Sequence, residues 1–184
     1  MAEKSELIPT HFFWLDLEFT GFDPVHDPIL EVYMAVTDVD KLEVIEDYWA
    51  IIKHNPTTVA TRMNGDFWQQ FPELRKDFLD RCSAGTALEA VEASLVSLVN
   101  SYVQDGMSAF LAGNSIHMDR RMIDVQMPVL SKRLHYRMLD VTSLKLMALT
   151  QGFTYQKNNS HHAKQDVLES IAEYKYYKQY FSVK

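Results

Sequence analysis

Cysteine is nearly absent: Cys82 is the single one in 184 residues. No intramolecular disulfide can form, which favours a reducing compartment, and Cys82 itself reads as a small core or surface residue. Long hydrophobic runs are also missing, so no segment reads as a bilayer span. The opening residues, MAEKSELIPT, hold neither an apolar signal core nor an arginine-rich transit pattern. These absences lead us to expect an intracellular, cytoplasmic protein with no membrane partner, an organelle such as the mitochondrion staying open. Excess positive charge is lacking too, since the net charge is −7. Proteins that hold long nucleic acid by neutralising phosphates carry basic surfaces, so that class is disfavoured. A very short nucleic acid held by metal ions and a few specific contacts remains compatible. No repeat, low-complexity tract or linker interrupts the chain. Its length and 47% hydrophobic content suit one domain, residues 1–184, with 1–10 expected as a flexible terminus.

Against that background, residues 12–19, FFWLDLEF, are unusual. The run is apolar enough for a buried strand, yet it carries two carboxylates and no Lys or Arg to pair with them. Burying an unpaired ionised acid is expensive. In a strand, residues i and i+2 share a face, so Asp16 and Glu18 continue the face begun by Phe12 and Trp14. Phe13, Leu15, Leu17 and Phe19 line the other face. Taken alone, Asp-x-Glu is more simply a solvated strand end; otherwise something cationic holds both acids.

The rest of the pattern is that of an α/β domain. Residues 11–19, 29–37 and 43–53 read as strands, the last two joined by a hairpin link at Asp38–Lys41. Residues 57–80 predict two short helices broken near Asn64-Gly65. Residues 86–104 have helical apolar spacing, with Thr86 as N-cap and Gly106 beyond the end. A short buried strand follows at 109–114, then a helix over about 118–130. An extended piece near 137–140 precedes a helix from Thr142 to about Leu149. A polar loop spans 151–160, and a last helix covers 162–180. The expectation is a mixed central sheet of about five strands flanked by helices.

Two further segments carry chemistry. Gly113-Asn114-Ser115-Ile116-His117-Met118-Asp119-Arg120 follows a buried strand and opens a helix, which puts Asp119 near a helix N-terminus at the active edge of the sheet. A first-turn Asp favoured by the helix dipole is the plainer alternative. His161-His162-Ala163-Lys164-Gln165-Asp166 opens the last helix. Five residues are about 140° around a helix, so His161 and Asp166 serve one site only if His161 sits just before the helix or in its first frayed turn.

Taken together, these segments resemble the DEDD exonuclease superfamily, its His-containing subclass, and within that the oligoribonucleases. The first motif is Leu15-Asp16-Leu17-Glu18-Phe19-Thr20-Gly21-Phe22-Asp23. The second runs from Gly113 to Arg120. The third is His161-x4-Asp166, continuing into Glu169-Ser170-Ile171-Ala172-Glu173. The stretch His135-Tyr136-Arg137-Met138-Leu139-Asp140-Val141-Thr142 is typical of oligoribonucleases rather than of the wider superfamily.

The resemblance implies a ribonuclease H-like fold and removal of nucleotides from the 3′ end of very short RNAs, chiefly dinucleotides, giving 5′ mononucleotides. Asp16, Glu18, Asp119 and Asp166 would bind two divalent cations, Mg²⁺ or Mn²⁺, and His161 would be the general base. Four converging carboxylates raise one another's pKa, and hard oxygen donors suit these ions. By the same resemblance Phe22, in place of the usual leucine, would wedge between the two bases and Trp68 would stack on one. Ser115, Thr142 and Ser143 would add contacts. The following stretch, Gln69–Glu73, departs from the family pattern. The family works as a homodimer, so Tyr136 and Arg137 would reach the partner's pocket, with Arg137 capping the 5′ phosphate. Two rival readings are a His-type 3′→5′ exonuclease acting on longer strands and a non-catalytic binding domain of the same fold. The stretch His135–Thr142 and the acidic surface weigh against the first, and the presence of all four acids and His161 against the second.

Overall fold

A computed structural model describes residues 8–104, 107–157 and 161–181, the last by its backbone alone. Gly106, the end of the polar loop at 158–160, the Phe181 side chain and most of the expected flexible terminus lie outside the described residues. The chain runs through β1 (His11–Phe19), β2 (Ile29–Asp38), β3 (Val44–Ile51), α1 (Pro56–Arg62), α2 (Asp66–Gln70) and α3 (Pro72–Arg81). After a single 3-10 turn at Cys82–Ala84 come α4 (Leu88–Tyr102), β4 (Leu111–Gly113), α5 (His117–Gln126) and α6 (Pro128–Ser131). The chain continues through β5 (Leu139–Asp140), α7 (Val141–Thr150) and α8 (Ala163–Phe181).

One sheet of five strands holds the order β3-β2-β1-β4-β5. β1, β2 and β3 form an antiparallel meander, while β4 and β5 add in parallel on the other side of β1. Both faces of β1 are covered, as its side-chain alternation requires. Phe13, Leu15 and Leu17 join a core with Val91, Leu95 and Val99 of α4 and Ile123 of α5. Trp14 joins the opposite core with Val141 of α7 and Val167, Ile171 and Tyr177 of α8. β2 is buried along nearly its whole length, which is why it reads as a continuous apolar run rather than an alternating one. The buried residues of α4 recur at helical spacing and form one stripe toward the sheet. Gly113 lets β4 close on β1, because a Cβ there would sit 2.8 Å from the Leu15 carbonyl oxygen. Among the described residues no helix is long and apolar enough to cross a membrane.

Several sequence expectations need correction. Residues 57–80 hold three helices, because Pro72 ends the second and opens the third. The helix expected over about 118–130 breaks at Met127, where Pro128 starts a new turn. Thr86 does not cap α4. Its N–H donates to the Ile51 carbonyl and its own carbonyl accepts from Lys53, so it extends the sheet side instead, and α4 begins two residues later.

Candidate functional site

At the C-terminal end of β1 the strand's second face turns from aromatic to acidic. Asp16 and Glu18 project there together, and Asp166 meets them from the first turn of α8. Carboxylate oxygens of these three residues lie within 4.8 Å of one another. Asp119 stands behind them near the N-terminus of α5, almost fully buried, and its Oδ1 accepts the Leu17 N–H at 2.9 Å. That bond seats it against the strand between the two β1 acids.

Electrostatics follow from crowding in a buried place. Burial, then the charges of Asp119, Glu18 and Asp166, raise Asp16 well above the usual carboxylate range, with Lys157 opposing. Burial, then Asp166, Glu31 and Asp119, push Glu18 up to about 8. Burial pushes Asp119 up to about 8 even though the Leu17 N–H and its own pull the other way. Such a cluster holds protons tightly unless a cation replaces them. Its donors are carboxylate oxygens only, the set that hard divalent ions such as Mg²⁺ and Mn²⁺ take, so the residues present fit divalent metal binding.

His161 lies just ahead of α8, where its spacing to Asp166 requires it. Its backbone is left-handed, at φ 53°. Non-glycine residues are strained there by about 1–3 kcal/mol, and such strain gathers at functional sites. The ring meets Phe67 and Phe71, with centroids 5.1 and 4.7 Å away. A cavity of about 550 Å³ is lined by His161, Asp16, Glu18, Asp166, Phe22, Phe67 and Trp68, among others.

Two supports of this arrangement are given no role in the sequence reading. Glu31 of β2 lies opposite Glu18 in the sheet register and is buried. It accepts from the Trp49 indole N–H at 2.6 Å and from the Ala163 N–H at 3.3 Å, and His162 Nδ1 lies 3.8 Å away, so it anchors the start of α8. The available signal is the one that marks Asp16 and Glu18, an acid inside the apolar run ILEVYMAV. Glu173 of α8 is fully buried and pairs with Lys157 Nζ at 3.1 Å. It also accepts from Asn114 Nδ2 at 3.0 Å and from the Tyr177 hydroxyl at 3.1 Å, tying α8 to the end of β4. Nothing in the spacing of Lys157 points to that role.

The other sequence candidates divide into two groups. Phe22 stands 70% exposed at the cavity with its ring edge-on to Phe19. Trp68 lines the cavity wall but is 3% exposed, and its indole N–H donates to the Thr20 carbonyl at 2.8 Å. Its neighbour Phe67 is the more accessible ring. Ser115, Thr142, Ser143, Tyr136 and Arg137 do not line this cavity. Ser115, left-handed at φ 48°, donates its N–H to Asp140 Oδ1 at 3.0 Å and Thr142 Oγ1 at 2.9 Å, joining the start of α5 to the start of α7. Ser143 is exposed. Tyr136 is 72% exposed, stacked on His135, with the Arg137 guanidinium 5.2 Å above its ring.

Similarity to known proteins runs along most of the chain. The exonuclease family profile matches residues 13–174. The oligoribonuclease of Thiobacillus denitrificans is 37% identical over 182 residues, which are 95% of this chain and 97% of that protein. The oligoribonuclease of Haemophilus ducreyi is 34% identical over 184 residues, 96% and 97% of the two chains. Among solved structures, E. coli exonuclease I in complex with a dA16 oligonucleotide has a TM-score of 0.64 at 17% identity, over 93% of this chain and 41% of that one. The chain thus spans less than half of exonuclease I, and this likeness shows the ribonuclease H-like exonuclease fold.

Proposed function

The chain belongs to the oligoribonuclease family of exonucleases, and from that premise we propose that it shortens very short RNAs, chiefly dinucleotides, from the 3′ end to 5′ mononucleotides. The observation that carries this reading is the convergence of the Asp16, Glu18 and Asp166 carboxylates within 4.8 Å, in one cavity with His161.

Asp16, Glu18, Asp119 and Asp166 hold two divalent ions, Mg²⁺ or Mn²⁺. When bound, such ions supply stabilisation of the attacking and leaving oxygens of an in-line displacement and lower the pKa of water. His161 accepts the proton of the attacking water on a ring nitrogen, the acid–base role for which an imidazole at the cavity wall is suited. The water oxygen bonds to phosphorus as the P–O3′ bond breaks. The 3′ oxygen leaves with the penultimate nucleotide and takes up a proton, and the phosphate stays on the 5′ carbon of the released one. Phe22 wedges between the bases, and Phe67 shares with Trp68 the aromatic wall on which a base stacks. Stacking tolerates any base, so little sequence preference is expected.

The working unit is a homodimer with shared sites. Tyr136 and Arg137 are exposed and do not line the cavity of their own chain, so they serve the substrate held by a second copy. There Arg137 caps the 5′ phosphate, a task for which its forked donors are suited, while Ser115, Thr142 and Ser143 add hydroxyl contacts. A closed end, two cations and one arginine let a protein of net charge −7 bind RNA without a basic groove. Calorimetric titration with Mn²⁺, paired with dinucleotide hydrolysis, tests the assignment. Wild type should bind about two ions, the number of a two-metal site. Asp16→Asn should lose at least one of them together with all hydrolysis. Retained hydrolysis in Asp16→Asn refutes it.

A further inference from the structure

The exposed Phe22 ring sits on an unusually well-tied loop. Asp27, 8% exposed, gathers its two ends. Its Oδ1 accepts from the Thr20 hydroxyl at 3.3 Å and from Arg62 of α1, whose Nε and Nη2 lie at 2.9 and 2.8 Å. Its Oδ2 accepts the Asp23 N–H at 2.9 Å. The fit leaves no room at residue 21, because a Cβ on Gly21 would sit 2.5 Å from Asp27 Oδ2. From the other side Gln126, the last residue of α5, donates Nε2 to the carbonyls of Pro24 and Asp27 at 3.0 and 2.9 Å. It also accepts the Ile29 N–H on Oε1 at 3.3 Å. Trp68 holds the Thr20 carbonyl from α2. Three helices therefore fix the backbone on either side of one exposed aromatic ring. None of Asp27, Arg62 and Gln126 lines the cavity.

A large apolar side chain presented to water on a rigid loop is the arrangement of a wedge. Parting two stacked bases costs free energy, and a slack loop would move aside instead of holding the bases apart. We propose that the Asp27–Arg62 pair and Gln126 are positioning residues that hold the Phe22 loop rigid, so that binding strength for a two-base substrate is set by side chains outside the cavity. This rests on the reading of Phe22 as the wedge.

The test is steady-state kinetics on a dinucleotide with Gln126→Leu and Arg62→Met, each alone and each combined with Phe22→Ala. Loosening the loop transfers its ordering to the binding step. Each single variant should therefore raise KM for the dinucleotide about threefold to tenfold, the scale of immobilising one or two side chains, with kcat within about twofold and Mn²⁺ binding unchanged. On the Phe22→Ala background neither variant should raise KM further, since residues acting through one group are not additive. The two anchors are separate, so one folded variant suffices, and Arg62→Lys, which keeps the charge but not the fork, is the milder form. An unchanged KM overturns the proposal, as does a fall in kcat instead, or a KM effect that adds to that of Phe22→Ala. If Phe22→Ala itself leaves KM at the wild-type value, the wedge reading fails, and the proposal with it.

Discussion

Stripping divalent ions and raising the pH should destabilise the protein steeply. In the folded apoprotein Glu18 and Asp119 are each pushed up to about 8, both mainly by burial. In the unfolded chain they titrate near their ordinary values, about 4. Across that window the folded state holds protons that the unfolded state has released. Stability is therefore full below the unfolded values and falls as the pH rises towards 8. One such proton is worth about 1.4 kcal/mol per pH unit. Two carboxyls over the two units from about pH 5.5 to 7.5 then remove about 5 kcal/mol, a large share of the about 5–15 kcal/mol that a domain has. At about 2–4 °C per kcal/mol for a chain of this size, Tm should drop by about 10–20 °C. Divalent ions bind the ionised acids and take the place of the protons, so the loaded protein should keep its Tm over the same range. Glu18→Gln should reduce the slope of the apoprotein. Thermal melts of chelator-treated protein across this pH range, with and without Mg²⁺, read all three. A flat or rising Tm for the apoprotein would refute the crowding of buried acids on which the site assignment stands.

The two adjacent histidines should separate cleanly. His161→Ala should lose about 10²-fold or more in kcat, the scale of a lost general base. His162→Ala, which removes a neighbour of Glu31 3.8 Å away and a ring packed against Phe78, should stay within a few-fold, and the reverse ranking would put the motif out of register by one. Subunit mixing tests the shared site. Asp16→Ala and Arg137→Ala homodimers should both be impaired, while their heterodimer has one pocket with intact acids and a donated arginine, so it should regain about half the wild-type activity per dimer. No recovery under conditions of demonstrated subunit exchange would remove Arg137 from the partner's pocket.

The sequence made the first two acids legible because water-loving groups inside an apolar run demand a partner. The alternation along β1 also assigned both faces correctly: Phe13, Leu15 and Leu17 lie in one core and Trp14 in the other. Glu31 carries the same mark, yet its neighbours read as an ordinary buried strand, and its partner Ala163 is 132 residues away. Lys157 and Glu173 meet only through the fold. Thr86 shows a local preference overridden, for its backbone is claimed by Ile51 and Lys53 before a cap can form. Pro72 and Pro128 are legible helix breakers, yet the helices expected over 57–80 and about 118–130 run across them. Phe67 and Trp68 stand side by side, and tertiary packing with Leu30, Val59, Met63 and Phe78, together with the bond to Thr20, decides that the tryptophan is the buried ring.

The central claim is a cavity closed for short RNA, and a length series tests it most directly. The protein is incubated with Mn²⁺ and 5′-phosphorylated, labelled RNAs from two to about twenty nucleotides, and the rate of mononucleotide release is compared. If a donated Arg137 caps the 5′ phosphate and Phe22 parts the first two bases, the dinucleotide is cleaved fastest and the rate falls with each added nucleotide. In Arg137→Ala that dependence flattens, because a charge-assisted hydrogen bond worth about 1.5–3 kcal/mol is lost. Equal or rising rates with length in the wild type would contradict the account, since they would require a groove open beyond the second base.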